Sequence, residues 1–162
     1  TKLFARRHEE AIRELELAVE SNPNLAVAHS LLGAANAFSG NYAEALGQTE
    51  YGIQLSPRDS LLSMMYGMRG ISQFAAGDYE ASVDWGRRSI AHRPPILVGY
   101  RMLAASLSHL GRIDEARDAV RELLTHLPDM TIQATIRQMP WKLKEHLEAV
   151  AEGLRAAGLP EE

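Results

Sequence analysis

Prolines recur along this chain at a nearly fixed interval, and this period constrains the fold more than any other feature. Pro23 and Pro57 are 34 residues apart, Pro94 and Pro128 are also 34 apart, and the interval from Pro57 to Pro94 is 37. A period of about 34 is the length of one helix–turn–helix unit, which hides its apolar face only by stacking on a neighbouring unit. The sequence therefore predicts an array of helical repeats, an architecture that usually presents a binding surface.

The segments between these prolines have the pattern of helices. Apolar residues such as Ile12 and Leu15 recur at helical spacing, and the chain contains 23 alanines, the residue with the highest helix propensity. Gly40, Gly77 and Gly111 suit the left-handed conformation that ends many helices. No segment alternates polar and apolar residues as a strand does. We expect an all-α chain with helices over residues 7–21, 25–39, 42–55, 59–76, 79–92, 95–110 and 113–126.

Two further helices are predicted beyond Pro128. Asp129 is a plausible N-cap for the first, and Pro140 separates it from the second. The last helix carries one apolar stripe with charged residues elsewhere, formed by Leu143, Leu147, Val150, Ala151 and Leu154. A repeat array must shield its terminal apolar flank from water, so residues 129–162 are predicted to form capping helices.

Composition argues against several classes of partner and compartment. The net charge is −4, whereas a nucleic-acid surface needs a basic face. No apolar stretch is long enough to span a membrane, and the first residues lack the apolar core of a signal peptide. The absence of cysteine excludes disulfides and is compatible with a reducing compartment. We expect a cytoplasmic protein that binds neither nucleic acid nor membrane.

No pattern in the sequence predicts catalysis. The six histidines include no pair at i, i+4 and no H-E-x-x-H motif, so their spacing indicates no zinc site. The glycines of Gly67-Met68-Arg69-Gly70 lie in a predicted helix with no preceding strand, which is not the context of a phosphate-binding loop. The carboxylate pair Glu9-Glu10 falls at a helix start, where it complements the helix dipole. We expect no catalytic residue, no metal and no cofactor, and therefore not an enzyme.

One unit carries a set of small, aromatic and turn residues at characteristic positions: Leu32-Gly33, Gly40, Tyr42, Ala45 and Pro57. With these residues the chain resembles the tetratricopeptide repeat family over residues 7–128. The resemblance implies a right-handed superhelical stack of helix–turn–helix repeats. It implies a partial repeat at 1–24, full repeats at 25–58, 59–95 and 96–128, and the capping helices at 129–162. Because the chain begins within a repeat, we expect that further residues precede it.

The middle repeat departs from this pattern by three extra residues between Pro57 and Gly77. Three residues are nearly one helical turn, so we expect the first helix of that repeat to be one turn longer. Either Gly67 or Gly70 could occupy the small packing position, and Arg69 falls in an apolar position under one of these choices.

In the resembled family, the first helix of each repeat lines a concave groove. Carried onto this chain, the pattern predicts an apolar peptide-binding groove formed by Val27, Ser30, Ala34, Ala37, Phe38, Met64, Met68, Ile71, Phe74, Val98, Arg101, Ala105, Ser108 and His109. Flexible methionines and aromatic rings suit an apolar peptide or helix. The alternative is that these side chains pack on the capping helices or on a missing repeat. Arg101 is the single basic residue of this set, so we predict no clamp for a terminal carboxylate of the type some family members have.

A weaker resemblance rests on SPRDSLLS, GDYEASVDW, AASLSHLGRIDEA and GLRAAGLPEE. These segments are similar to the C-terminal repeats of certain proteobacterial signalling proteins. In those, a class III adenylate or guanylate cyclase domain, or a winged-helix DNA-binding domain, precedes the repeats. The resemblance implies that this chain is the regulatory part of such a protein.

The predicted function is thus a non-catalytic protein–protein interaction module that binds a peptide or helix in its groove. The alternative is a homodimerisation module for an upstream catalytic or DNA-binding domain. Pairing would use an apolar flank at Leu3, Phe4 and Ile12, and class III cyclases are similar to one another in working as dimers.

Overall fold

The computed structural model describes residues 7–92 and 97–162, and within these ranges the chain is all-helical. Its helices are α1 (His8–Ser21), α2 (Ala26–Ser39), α3 (Tyr42–Leu55), α4 (Leu62–Ala75), α5 (Tyr79–Ala91), α6 (Leu97–His109), α7 (Ile113–His126), α8 (Ile132–Gln138) and α9 (Lys144–Ala156). No helix of the described ranges is long and apolar enough to cross a bilayer. The all-α prediction is confirmed.

Three helical hairpins stack on one another. The pairs α2–α3, α4–α5 and α6–α7 each pack together, and α2, α4 and α6 contact each other in sequence. Helix α1 packs on α2 at one end, and α9 packs on α6 at the other. Because each hairpin contributes one side to a shared apolar interior, most buried apolar side chains form one extended core, and a small second cluster joins Ala26, Leu62 and Met65.

Glycines at equivalent positions end the first helix of each hairpin. Gly40, Gly77 and Gly111 have φ angles of 93°, 80° and 75°. At the first of these turns the amide of Asn41 donates to the carbonyl of Asn36 at 2.9 Å, which closes the helix end. The same bond occurs at the other two turns, so the turn glycines predicted from sequence have the backbone conformation that the prediction required.

Small residues allow the two helices of a hairpin to approach closely. A Cβ atom added to Gly33 would lie 2.4 Å from the Cγ2 of Thr49 and 2.8 Å from the carbonyl oxygen of Ala45. In the middle hairpin Gly70 takes the equivalent position, since its nearest neighbours are the backbone of Gly86 and Ser82. Gly70 therefore holds the register position of Gly33, although a Cβ there would make ordinary contacts at 3.7 Å. A Cβ on Gly67 would lie 2.8 Å from the Cγ1 of Val98, so Gly67 allows the close approach of α4 to α6.

The three extra residues of the middle repeat do not lengthen its first helix. Helices α2 and α4 both contain 14 residues, so the expected additional turn of helix is wrong. Two of the extra residues lie in the connection 56–61, which has six residues where the connection 22–25 has four, and the third lies in the turn 76–78. The connection 56–61 forms two successive turns. In these turns the amide of Asp59 donates to Ser56 at 3.1 Å and the amide of Leu62 donates to Asp59 at 3.2 Å.

The C-terminal region is less helical than the sequence predicts. Helix α8 has seven residues, and the chain is then irregular until α9 begins at Lys144. Leu143, predicted to lie in the last helix, has extended backbone angles (φ −87°, ψ 126°). The amide of Ile132 donates to the carbonyl of Pro160 at 2.8 Å, so the start of α8 is bonded to the chain end. The predicted helix boundary at Pro94 and Pro95 lies outside the described residues.

Two helical glycines provide a matched test of this packing. Gly33→Ala forces a side chain into the α2–α3 contact, so we expect the free energy of unfolding to fall by about 1–3 kcal/mol. Gly47→Ala places the same methyl group where no atom lies within 4 Å. It should raise the free energy of unfolding by about 0.5–1 kcal/mol, because alanine favours the helix. Urea denaturation of both variants measures the difference, and equal effects at the two sites would contradict the close approach.

Candidate functional site

Residues 138–156, which we call the C-terminal segment, lie across the side of α2, α4 and α6 that the sequence assigns to the groove. We call this side the inner face. The ring of Trp141 packs edge-on against Phe38 of α2, with centroids 4.7 Å apart, and lies 6.4 Å from Phe74 of α4. The amide of Lys142 donates to the carbonyl of Phe38 at 2.9 Å. Trp141 is 1% exposed, so this part of the inner face is closed.

Helix α9 covers the α6 part of the inner face. A Cβ added to Gly153 would lie 2.8 Å from the backbone of Ala105, so the two helices touch. His109 is hydrogen-bonded through Nε2 to the carbonyl of Ala149 at 2.8 Å and stacks on the ring of Tyr79. The sequence left open whether the predicted groove residues pack on the capping helices. Ala105 and His109 do so.

Four other predicted groove residues lie away from any opening. Ser30 points toward α3, because a Cβ on Gly52 would lie 2.5 Å from its hydroxyl oxygen. Ala37 is fully buried in the core. Val27 and Ser108 are half-buried and do not line the cavity described below, although the hydroxyl oxygen of Ser108 is itself buried without a hydrogen-bond partner.

An open cavity remains at the α1 end of the inner face. It has a volume of about 400 Å³, within the range typical of small-ligand and peptide-anchor pockets. Seven of the fourteen predicted groove residues line it: Ala34, Phe38, Met64, Met68, Ile71, Val98 and Arg101. Its walls come from α1, α2, α4 and α6, and its remaining side comes from the last residue of α8 and the two residues that follow it. The structure thus brings half of the predicted set together around one opening.

Other lining residues were not predicted from the sequence. Ala11, Glu14 and Leu15 come from α1, and Gln138, Met139 and Pro140 come from the C-terminal segment. The α1 residues belong to an apolar helical face that is visible in the sequence, but the resemblance assigned only first helices to the groove. No sequence pattern places residues 138–140 there, because their contacts are distant in sequence, as in the pair Arg101 and Gln138, which are 37 positions apart.

Two arginines on the repeat helices differ in how their charges are neutralised. Arg69 takes the place that Leu32 has in the first full repeat, donates to the carbonyl of Leu46 and the hydroxyl of Thr49, and lies 3.6 Å from a carboxylate oxygen of Glu50. Burial lowers the pKa of Arg69, and Glu50 partly offsets that effect.

Arg101 has no such charge partner among the described residues. Its Nη1 donates to the amide oxygen of Gln138 at 2.9 Å, and its buried Nε has no hydrogen-bond partner. Burial lowers the pKa of this guanidinium without an opposing contribution from any carboxylate. A positive charge therefore lies at the edge of an apolar cavity with only one neutral acceptor. Burying a charge without a counter-ion is unfavourable.

The histidines have structural partners rather than shared ligands. His29 bonds to Gln48 and to the carbonyl of Pro23, and His146 lies between Tyr42 and the carbonyl of Ala75. In the described part of the chain, no group of three or more His, Asp or Glu side chains could hold a metal ion.

A stack of helical hairpins, closely packed through small residues and closed by left-handed glycines, is a helical-repeat fold of the tetratricopeptide type. Two crystal structures of MamA, a protein of tetratricopeptide-like all-helical fold, match the chain with TM-scores of 0.64 and 0.63. Both are 20% identical to it, and the matches cover 93% of this chain and 86% and 81% of the MamA chains. This likeness shows the fold alone. No protein-family model and no curated protein matches the sequence.

The contrast between the two arginines yields a stability prediction. Arg101→Met removes a poorly paired buried charge and keeps the aliphatic part of the side chain, so we expect the free energy of unfolding to rise by about 1 kcal/mol. Arg69→Met removes the bonds to Leu46 and Thr49 and should lower it by about 1–3 kcal/mol. Urea denaturation measures both. A loss of stability in Arg101→Met would show that Arg101 is a structural residue.

Proposed function

We propose that this chain is a non-catalytic interaction module that binds a peptide or helix of a partner protein at the open cavity of its inner face. The observation that carries the proposal is the cavity itself. Its described lining is mainly apolar, it opens between four helices, and it coincides with half of the predicted groove residues. Concave sites of this kind bury an apolar anchor side chain of a partner.

The side chains that line the cavity can adapt to apolar anchor residues of different shapes. Met64 and Met68 are half-buried on α4 next to Ile71 of the same helix, and Phe38 of α2 lines the same opening. Methionine has three rotatable bonds and a polarisable sulfur, so it adapts to differently shaped apolar groups. A module with these walls would accept a large aliphatic or aromatic side chain presented by a helix or an extended segment.

The closed half of the inner face limits how much of a partner the site can hold. Trp141 and α9 occupy the surface of α4 and α6 beyond the cavity. We therefore propose a short contact with one or two anchor residues, in place of a long peptide that covers the whole inner face.

Substitution of the cavity wall tests the proposal. Phe38 and Phe74 are unsuitable targets, because both are core residues packed around Trp141 and truncation of such rings costs about 3–5 kcal/mol. Met68→Lys instead places a charge at a half-buried wall position. Peptides selected on the wild-type chain from a displayed random library should bind this variant at least tenfold more weakly in fluorescence anisotropy.

The control is Leu61→Lys, a change at a 43% exposed leucine outside the cavity lining. It should leave the affinity of the selected peptides unchanged. Failure to select any peptide, or equal binding to both variants, would overturn the proposal.

Self-association remains the alternative function, and one exposed side chain favours it. Leu17 on α1 is 61% exposed, the largest exposure among the described large apolar residues, whereas Ile12 on the same helix is half-buried. Leu3 and Phe4 lie outside the described residues. A monomer in sedimentation experiments at high concentration would rule this function out for the chain.

The wider context is also a proposal. In a longer protein, this module would regulate an upstream cyclase or winged-helix domain by holding a partner or a second copy near it. The resemblance of four sequence segments is its support, and the MamA likeness does not bear on it. The sequence upstream of Thr1 tests this context directly.

A further inference from the structure

We infer that Arg101 binds an acidic side chain of the partner, next to the large apolar side chain that enters the cavity. This inference rests on the proposed function and deepens it, since it names the chemistry of the bound segment. The ligand class is a peptide in which Asp or Glu lies close to a bulky aliphatic or aromatic residue.

The position of Arg101 at the cavity supports this assignment. Arg101 lines the cavity beside Val98 of the same helix, and its Nη1 is bonded to Gln138 on the opposite wall. Gln138 is a neutral acceptor, and the buried Nε of the same guanidinium has no partner. The guanidinium of Arg101 therefore lies at the rim of an apolar space with a neutral acceptor and without a carboxylate partner among the described residues.

Charge complementarity identifies the missing group. Guanidinium presents donors in a fixed fork that matches a carboxylate with two parallel bonds. Within the described residues, the analogous buried arginine, Arg69, has Glu50 as a charge partner, whereas no salt bridge joins Arg101 to a carboxylate. Glu14 also lines the cavity but forms no ion pair with Arg101. A carboxylate supplied by a ligand would neutralise Arg101 where the fold does not.

The apolar wall requires the second feature of the ligand. An anion alone would bind weakly at a single arginine near the surface, because water competes for it. A large apolar side chain anchored between Phe38 and Met68 would exclude water from the pair and strengthen it. Recognition would therefore require both groups in one short segment, and the two contributions can be separated experimentally.

The test uses the displayed random library on the full chain and on Arg101→Gln, which keeps a polar side chain without the charge. Peptides selected on the wild type should be enriched in Asp or Glu within about four residues of a large apolar residue. Each should bind Arg101→Gln at least about 30-fold more weakly, the loss expected when one partner of a desolvated charge pair is removed. A matched peptide with Gln in place of its acidic residue should bind the wild-type chain more weakly than the acidic peptide does. The two peptides should bind Arg101→Gln with nearly the same affinity.

Two further arms separate the possible outcomes. Amidation of the peptide C-terminus should leave affinity unchanged, and a large loss would assign the carboxylate to the chain end and overturn the inference. Selected peptides that lose affinity for Met68→Lys but not for Arg101→Gln would overturn the inference and leave the proposed function intact. Peptides that bind both variants as tightly as the wild type would overturn the inference and the proposed function together. A free fatty acid co-purified with the chain in native mass spectrometry would indicate a lipid in place of a peptide.

Discussion

The packing of Trp141 between α2 and α4 is the contact on which the arrangement of the functional surface depends. Its ring meets Phe38 edge-on and stacks on His146 with centroids 4.9 Å apart, and His146 in turn reaches Tyr42 and the carbonyl of Ala75. Residues of the first two full repeats are thereby joined to the C-terminal segment. Because this cluster is buried, it separates a closed part of the inner face from the cavity that described residues of α1, α2, α4 and α6 line.

The same segment meets two requirements of a finite repeat array. The last hairpin has an apolar flank that must be shielded from water, and α9 packs on α6 to cover it. The inner face of α2 and α4 carries aromatic side chains, and leaving a large apolar side chain exposed forgoes about 1.5–3 kcal/mol. Residues 139–143 bury these rings. These residues leave the cavity beside α1 uncovered, where the charged Arg101 lies next to apolar walls. This combination of one charge and an apolar surface is the basis of the proposed specificity.

The sequence predicts the local structure well because its causes are local. Proline spacing, helical periodicity and the turn glycines determine where helices begin and end, and Gly33 follows from the close approach that the repeat pattern requires. The prediction that the three-residue insertion lengthens a helix is wrong, because the residues at 56–61 are compatible with a helix extension and with two tight turns. The closure of the inner face depends on contacts between residues as distant as Tyr42 and His146, which are 104 positions apart. No periodicity in the chain specifies such a contact, so the sequence predicts the groove residues without predicting which of them remain open.

Hydrogen exchange at the amide of Lys142 tests most directly whether the C-terminal segment is a permanent part of the inner face. This amide donates to Phe38 at 2.9 Å beside the buried ring of Trp141. The account predicts that it exchanges only when the array unfolds, with the same protection as the central amides of α2 and α4. Exchange at the rate of an exposed amide, while α2 and α4 stay protected, would contradict the account. In that case the segment would leave the groove, and the whole inner face would be available to a partner.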